Sequence, residues 1–167
     1  MARKPKTVMG VDQSMTSTGV VLLDYSGNVQ YYEIVGTDSN NPYCDRIHEV
    51  AISLAVLQAT KNVTHVVFEK PVFGQIKGNS VSKLLGLHHY LESFMESKTD
   101  ADVVTSVNLS TIKKFATGNG RADKSAMIDS LPDDILDMLS AEYKKTTGLR
   151  DLADAYWIAK WQLEQMK

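Results

Sequence analysis

The chain of 167 residues is long enough for one domain of ordinary size and too short for two. Its 43% hydrophobic and 23% charged residues are typical of a folded globular protein and exclude a disordered chain. The net charge of −2 argues against general attraction to polyanions, although a local basic patch is compatible with it. No apolar run approaches the roughly 18 residues of a membrane span, and the single cysteine excludes an internal disulfide. We expect one cytoplasmic domain over residues 1–167, flexible at residues 1–6.

Hydrophobic periodicity and turn signals predict eleven elements. The first three are strands, Thr7–Asp12, Gly19–Asp24 and Val29–Val35, which we expect to pair as an antiparallel meander. The later elements, in chain order, are helix Tyr43–Thr60, strand Thr64–Glu69, helix Asn79–Ser97, strand Asp102–Val107, a short helix capped by Ser110, and helices Asp123–Ser130, Asp133–Lys144 and Leu149–Gln165. This order predicts an α/β domain with a five-stranded mixed sheet flanked by helices on both faces.

Four acidic residues fall where strand ends and a helix start are expected to converge. Asp12 ends the first strand and Glu69 the fourth, whereas Asp151 and Asp154 open the last helix on one face. An unpaired carboxylate at a buried strand end loses several kcal/mol of hydration, so it needs a proton, a partner or a cation. Each acid taken alone is also explained as a turn or cap residue, or as a partner of the helix dipole.

A divalent cation would relieve the repulsion between such acids. Ligand sets made only of oxygen suit Mg²⁺, with Mn²⁺ as a substitute. Two ions about 4 Å apart would form a clamp for phosphodiester hydrolysis. We therefore expect Asp12, Glu69, Asp151 and Asp154 to be both catalytic and metal-binding, with two ions in the site.

Motifs from about residue 7 to residue 160 resemble the RuvC family of Holliday junction resolvases. They are Val8–Ser14 with Thr18-Gly19, Val66–Glu69, Gly118–Lys124 and Asp151–Ala155. The resemblance implies a ribonuclease H-like fold, a homodimer, a two-metal site made by the same four acids, and paired nicks in opposing strands of a four-way junction. Gln13 and Ser14 replace the proline and glycine usual after the first acid. Such departures resemble the phage-encoded branch of the family, which would act in the host cytoplasm.

The resemblance also directs attention to DNA contacts. It places the family's basic loop on Gly118–Lys124, with Lys124 near a phosphate, and the family's aromatic residue at Phe73. An exposed Phe73 could stack on an unpaired base, worth roughly 1–3 kcal/mol, but it could equally anchor its own loop. Ordinary solvated surface remains the alternative for the lysines. The residues expected to bind DNA are Phe73, Gln75, Lys77, Lys113, Lys114, Arg121 and Lys124.

The helix predicted at 79–97 carries two apolar stripes. The first comprises Val81, Leu84, His88, Leu91 and Met95, and the second comprises Leu87, Tyr90 and Phe94. Since one face suffices to cover a sheet, a second face indicates another partner. We expect the first stripe to contribute to a dimer interface, which suits a substrate cut symmetrically. The alternative is that the extra stripe packs under the C-terminal helix. His88 and His89 could ligate a metal, but a core or interface role is favoured.

The sequence thus predicts a Mg²⁺-dependent, structure-selective endonuclease that cleaves four-way and other branched DNA by paired nicks. Two alternatives stay open: a nuclease of the same fold that acts on RNA, and a junction-binding module that does not cut. Neither a nucleotide cofactor nor a membrane partner is expected.

Overall fold

The computed structural model describes residues 6–71, 79–145 and 148–167. The strands are β1 (Thr7–Asp12), β2 (Thr18–Asp24), β3 (Val29–Val35), β4 (His65–Lys70) and β5 (Val103–Asn108). The helices are α1 (Tyr43–Lys61), α2 (Asn79–Lys98), α3 (Leu109–Thr117), α4 (Lys124–Asp129), α5 (Asp133–Glu142) and α6 (Leu149–Gln165).

The five strands form one mixed sheet in the order β3-β2-β1-β4-β5. β1, β2 and β3 pair antiparallel, whereas β4 pairs parallel with both β1 and β5. Strands that run in the same direction end at the same edge of a sheet, so the carboxyl ends of β1, β4 and β5 lie together. The predicted meander and mixed sheet are confirmed.

Helices cover both faces of this sheet. One face contributes Val8, Val21 and Val67 to a core shared with α3, α4, α5 and α6. The other contributes Met9 and Phe68 to a core shared with α1 and α2. Since successive strand residues face opposite ways, neighbouring buried residues of a strand pack against different helical layers.

Each predicted boundary lies within two residues of the observed one, and both boundaries of β1, β3 and α6 agree. The clearest correction concerns α3, which begins at Leu109 after Asn108 rather than after a Ser110 cap. α5 ends at Glu142 instead of Lys144 because the next residue, Tyr143, is extended. Within the described ranges, no helix has the length and apolar character needed to cross a membrane.

Candidate active site

The two strand acids lie side by side on the face covered by α6. Val11 of β1 pairs with Phe68 of β4, so Asp12 and Glu69 are the next residues at the carboxyl end of each strand. Val8 and Val67 both face α6. Because side chains two or four positions apart on a strand point to the same face, Asp12 lies on the same face as Val8, and Glu69 on the same face as Val67. The side chains of Asp12 and Glu69 interact directly. The sheet therefore brings together two carboxyl groups that are 57 positions apart in the chain.

The helix acids reach this edge because α6 lies unusually close to the sheet. A Cβ on Gly19 would overlap the carbonyl oxygen of Asp151, and a Cβ on Gly10 would overlap that of Ala155. Glycine at both positions is what allows the helix backbone to approach β1 and β2. The first two turns of α6 thus hold Asp151 and Asp154 beside the strand acids.

A lysine from α4 completes the cluster. The ammonium of Lys124 lies 3.5 Å from Oδ1 of Asp151 and 3.7 Å from Oδ2 of Asp154. Burial lowers the pKa of Lys124, but the charges of Asp12, Asp154 and Asp151 more than offset this and raise its pKa above the ordinary value. Lys124 is therefore a charged counter-ion of the acids in addition to its predicted position near a DNA phosphate.

Three of the four acids have raised pKa values, because they are buried and repel one another. Burial, followed by the charges of Glu69 and Asp154, raises the pKa of Asp12 well above its usual value. Burial and the charge of Asp154 raise the pKa of Glu69. Burial, with a further contribution from Asp151, raises the pKa of Asp154 to about 6 even though Lys124 opposes the shift. The fold thus holds these acids where their ionised forms are costly.

Asp151 is in a different environment from Asp154. Its Oδ2 accepts a hydrogen bond of 2.5 Å from Oγ of Ser17, which lies in the loop between β1 and β2. Asp154 is 3% exposed, and its Oδ1 is buried without a hydrogen-bond partner. A buried carboxylate oxygen without a partner is uncommon and requires an explanation.

A divalent cation fits these observations. The donors are all carboxylate oxygens, the ligands that Mg²⁺ and Mn²⁺ prefer. A cation would also satisfy Oδ1 of Asp154 and offset the repulsion that raises the pKa values of Asp12 and Glu69. The residues that could hold it are Asp12, Glu69 and Asp154, with Asp151 at the rim.

Of the described residues expected to bind DNA, Lys124 and Lys113 interact with the acids. Lys113 is half-buried on α3, and its charge acts on Glu69 and Asp154. Lys114 and Arg121 are exposed. The loop before Lys124 begins with Gly118 in the left-handed conformation, at φ 78°. Phe73, Gln75 and Lys77 lie outside the described residues.

The stripe predicted for the dimer interface lies mostly inside the chain. His88 is 3% exposed, and Leu91 and Met95 are completely buried. Leu91 and Met95 belong to the core between the sheet, α1 and α2. Only Val81 and Leu84 are partly exposed. The predicted dimer interface is therefore wrong for His88, Leu91 and Met95, because these buried side chains offer no surface to a second copy of the chain.

Gln13 is a site residue whose role the sequence analysis missed. Its side chain is 6% exposed, and its Nε2 donates to the backbone carbonyl of Glu69 and contacts Nδ1 of His88 at 3.2 Å. Gln13 therefore ties the ends of β1 and β4 to α2. The sequence did single out this position, because Gln13 replaces the proline that is usual in the RuvC family. The sequence alone did not show what the amide would contact.

Comparison with known proteins supports the fold. The chain matches no protein-family model and no curated protein sequence. Solved structures do match. Thermus thermophilus RuvC in complex with a Holliday junction substrate is 16% identical with a TM-score of 0.65, over 92% of this chain and 90% of that one.

Two further resolvases match over similar lengths. The yeast mitochondrial Holliday junction resolvase Ydc2 is 12% identical with a TM-score of 0.63, over 96% of this chain and 81% of that one. The fowlpox virus Holliday junction resolvase is 17% identical with a TM-score of 0.59, over 95% and 99%. The chain therefore has the α/β fold of RuvC-type resolvases, as predicted.

Proposed function

We propose that this protein is a metal-dependent endonuclease that cleaves four-way and other branched DNA by paired nicks. The observation that carries the proposal is the convergence of Asp12, Glu69, Asp151 and Asp154 at one edge of the sheet, where burial and mutual repulsion raise the pKa values of Asp12, Glu69 and Asp154. The likeness in fold to three Holliday junction resolvases supports the choice of substrate.

Asp12, Glu69 and Asp154 would hold the divalent cations, with Asp151 contributing at the outer side. Two bound Mg²⁺ ions would polarise the scissile phosphate and lower the pKa of the attacking water, and Mn²⁺ would substitute for them. The chain's own part is to hold the carboxylates in place for the cations. Gln13 restrains the end of β4 by its bond to the Glu69 carbonyl, and Ser17 restrains Asp151.

Lys124 and Lys113 would face the DNA backbone at this edge. Once a divalent cation offsets the carboxylates, the half-exposed ammonium of Lys124 is free to contact a phosphate oxygen. Lys114 and Arg121, both exposed, would extend the basic surface along the flanking duplex. Phe73, Gln75 and Lys77 remain proposed DNA contacts.

Paired nicks in opposing strands suit a homodimer, which we also propose. Val81 and Leu84 are the members of the predicted stripe left to contribute to its interface. No nucleotide cofactor is needed for hydrolysis of this kind. A phage-type resolvase of this description would act in the cytoplasm of its host.

Cleavage of a panel of substrates tests the proposal. A synthetic mobile four-way junction, a Y-structure, a linear duplex and a structured RNA are incubated with the purified protein, with Mg²⁺ or with a chelator. We expect nicks at symmetric positions of the four-way junction in the presence of Mg²⁺ and none in the presence of the chelator. Preferred cleavage of the RNA would favour the RNA nuclease instead, and metal-dependent binding without nicks would favour the non-cutting module.

Asp12→Asn is the diagnostic variant for the site. The amide keeps the size of the side chain but removes its charge, so cleavage should be abolished while junction binding survives. Asp137→Asn, an exposed carboxylate on α5, is the matched control and should cleave like the wild type. Near-normal cleavage by Asp12→Asn would refute the assignment of the site.

A further inference from the structure

A second cluster of metal-ligating side chains lies on α2, away from the four acids. Nε2 of His88 is 3.3 Å from Oε2 of Glu92, and Nδ1 of His89 is 4.0 Å from the same oxygen. Among the described residues, these three side chains form the group of His, Cys, Asp and Glu whose ligand atoms all lie within 4.8 Å of one another. All three come from little more than one helical turn.

The spacing of these atoms suits a tetrahedral transition-metal ion. Ligands at about 2.0–2.1 Å from such an ion are about 3.4 Å from each other. His88 and Glu92 already have this separation. The side chain of His89 is 71% exposed, so its ring is free to turn and close the remaining distance. A modest rotation of one exposed side chain would therefore complete a three-ligand set.

The ring of His88 is held in position by its neighbours. It meets the ring of Phe68 edge to face, with centroids 6.3 Å apart, and its Nδ1 contacts the amide of Gln13 at 3.2 Å. Metal-binding histidines are commonly oriented by a polar group at their second nitrogen. Here that group is the amide nitrogen of Gln13, a donor, so Nδ1 accepts the hydrogen bond and Nε2, which is directed at Glu92, carries the ring proton.

The amide of Gln13 supplies an independent observation. Its Oε1 is buried and has no hydrogen-bond partner. When a metal binds Nε2 of a neutral histidine, Nδ1 carries the proton and needs an acceptor. A half-turn of the amide would offer Oε1 to that proton, at the expense of the bond between Nε2 of Gln13 and the carbonyl of Glu69. The cluster therefore contacts the end of β4, which also carries a site acid.

The α2 cluster and the carboxylate site differ in position and in chemistry. His88 contacts Phe68, on the face of the sheet that packs against α1 and α2. Glu69 follows the alternation of Val67 and faces α6. Imidazole ligands select Zn²⁺, Ni²⁺ or Cu²⁺, whereas carboxylates alone select Mg²⁺ or Mn²⁺. The two sets of ligands are expected to bind different ions.

We propose that His88, His89 and Glu92 form a second metal site, specific for a transition-metal ion such as Zn²⁺. The site lies on α2 and reaches the solvent through His89. Its three ligands lie on the face of the sheet opposite the four acids, so Zn²⁺ binding can be measured without an assay of DNA cleavage. The competing explanation is that His88 and Glu92 form an ordinary side-chain contact between residues four positions apart on a helix and bind no metal.

Calorimetric titration with Zn²⁺ distinguishes these explanations. The protein used carries Cys44→Ser, because the exposed thiol is a metal ligand in its own right. The buffer contains excess Mg²⁺ to occupy the carboxylates. We expect one Zn²⁺ per chain and a higher melting temperature in its presence. Absence of saturable binding under these conditions would overturn the proposal.

Two variants assign the binding to the cluster. His89→Asn and Glu92→Gln each remove a ligand outside the buried core, and each should weaken Zn²⁺ binding by more than the roughly 10–100-fold that loss of an outer-shell partner causes. His48→Asn is the matched control, since His48 is an exposed histidine on α1, and should bind like the parent. Equal binding by all three variants would show that the ion lies elsewhere and would overturn the assignment.

Discussion

Asp154→Asn should stabilise the metal-free protein at neutral pH. The pKa of Asp154 is raised to about 6 in the fold, mainly by burial, against an ordinary value of 3.8 in an unfolded chain. Between these two values the folded chain binds the proton that the unfolded chain has lost. The free energy of unfolding therefore falls as the pH rises through this range and is level above it. At about 1.4 kcal/mol per pH unit, ionised Asp154 costs about 3 kcal/mol at pH 7.

The assay is urea unfolding in the presence of a chelator, from pH 4 to pH 8. The variant should match the wild type near pH 4 and exceed it by up to about 3 kcal/mol at pH 7. Asp137→Asn, on the exposed face of α5, should show no such rise. Added Mg²⁺ should stabilise the wild type more than Asp154→Asn, because the ion offsets the same charge. A variant that is less stable than the wild type at every pH would refute this account of the site.

Two further predictions concern the surroundings of the acids. Lys124→Ala should weaken junction binding and reduce the slope of log affinity against log salt by about one. Lys98→Ala, at the far end of α2, is the control and should change neither the affinity nor the slope. An unchanged slope for Lys124→Ala would argue against a phosphate contact. Gly10→Ala should lower the free energy of unfolding by about 1–3 kcal/mol or more, because its methyl group meets the carbonyl of Ala155. Gly36→Ala, with no atom nearer than 3.6 Å, is the control, and equal stability of the two variants would contradict the close approach of α6.

Local patterns in the sequence were sufficient to predict the sheet. The apolar runs of β1 and β4 end at Asp12 and Glu69, and their parallel pairing puts these acids at one edge. The direction of each strand follows from the order of the elements, so the convergence of the two acids could be anticipated. Asp151 and Asp154 could be assigned to one helix face by spacing alone.

Contacts between distant side chains could not be predicted in this way. The position of Lys124 between Asp151 and Asp154 depends on how α4 packs against α6, which no local pattern encodes. The same holds for Gln13, whose amide contacts His88 only because α2 packs against the sheet.

Periodicity also could not tell an internal face from an external one. The stripe that includes Leu91 and Met95 was correctly recognised as a continuous apolar face of α2. Whether such a face meets the chain's own sheet or a second copy depends on the rotation of the helix about its axis, and here both side chains are buried inside the chain. A correct helix assignment therefore led to a dimer interface that included three buried residues, His88, Leu91 and Met95.

The most direct test of the central claim is the position of Mn²⁺ in a crystal of the wild-type protein, located by its anomalous scattering. We predict ions bound among Asp12, Glu69 and Asp154, with Oδ1 of Asp154 as one of the ligands. Crystals soaked in Mn²⁺ that show well-ordered carboxylates and no anomalous peak between them would contradict the proposed metal-dependent nuclease.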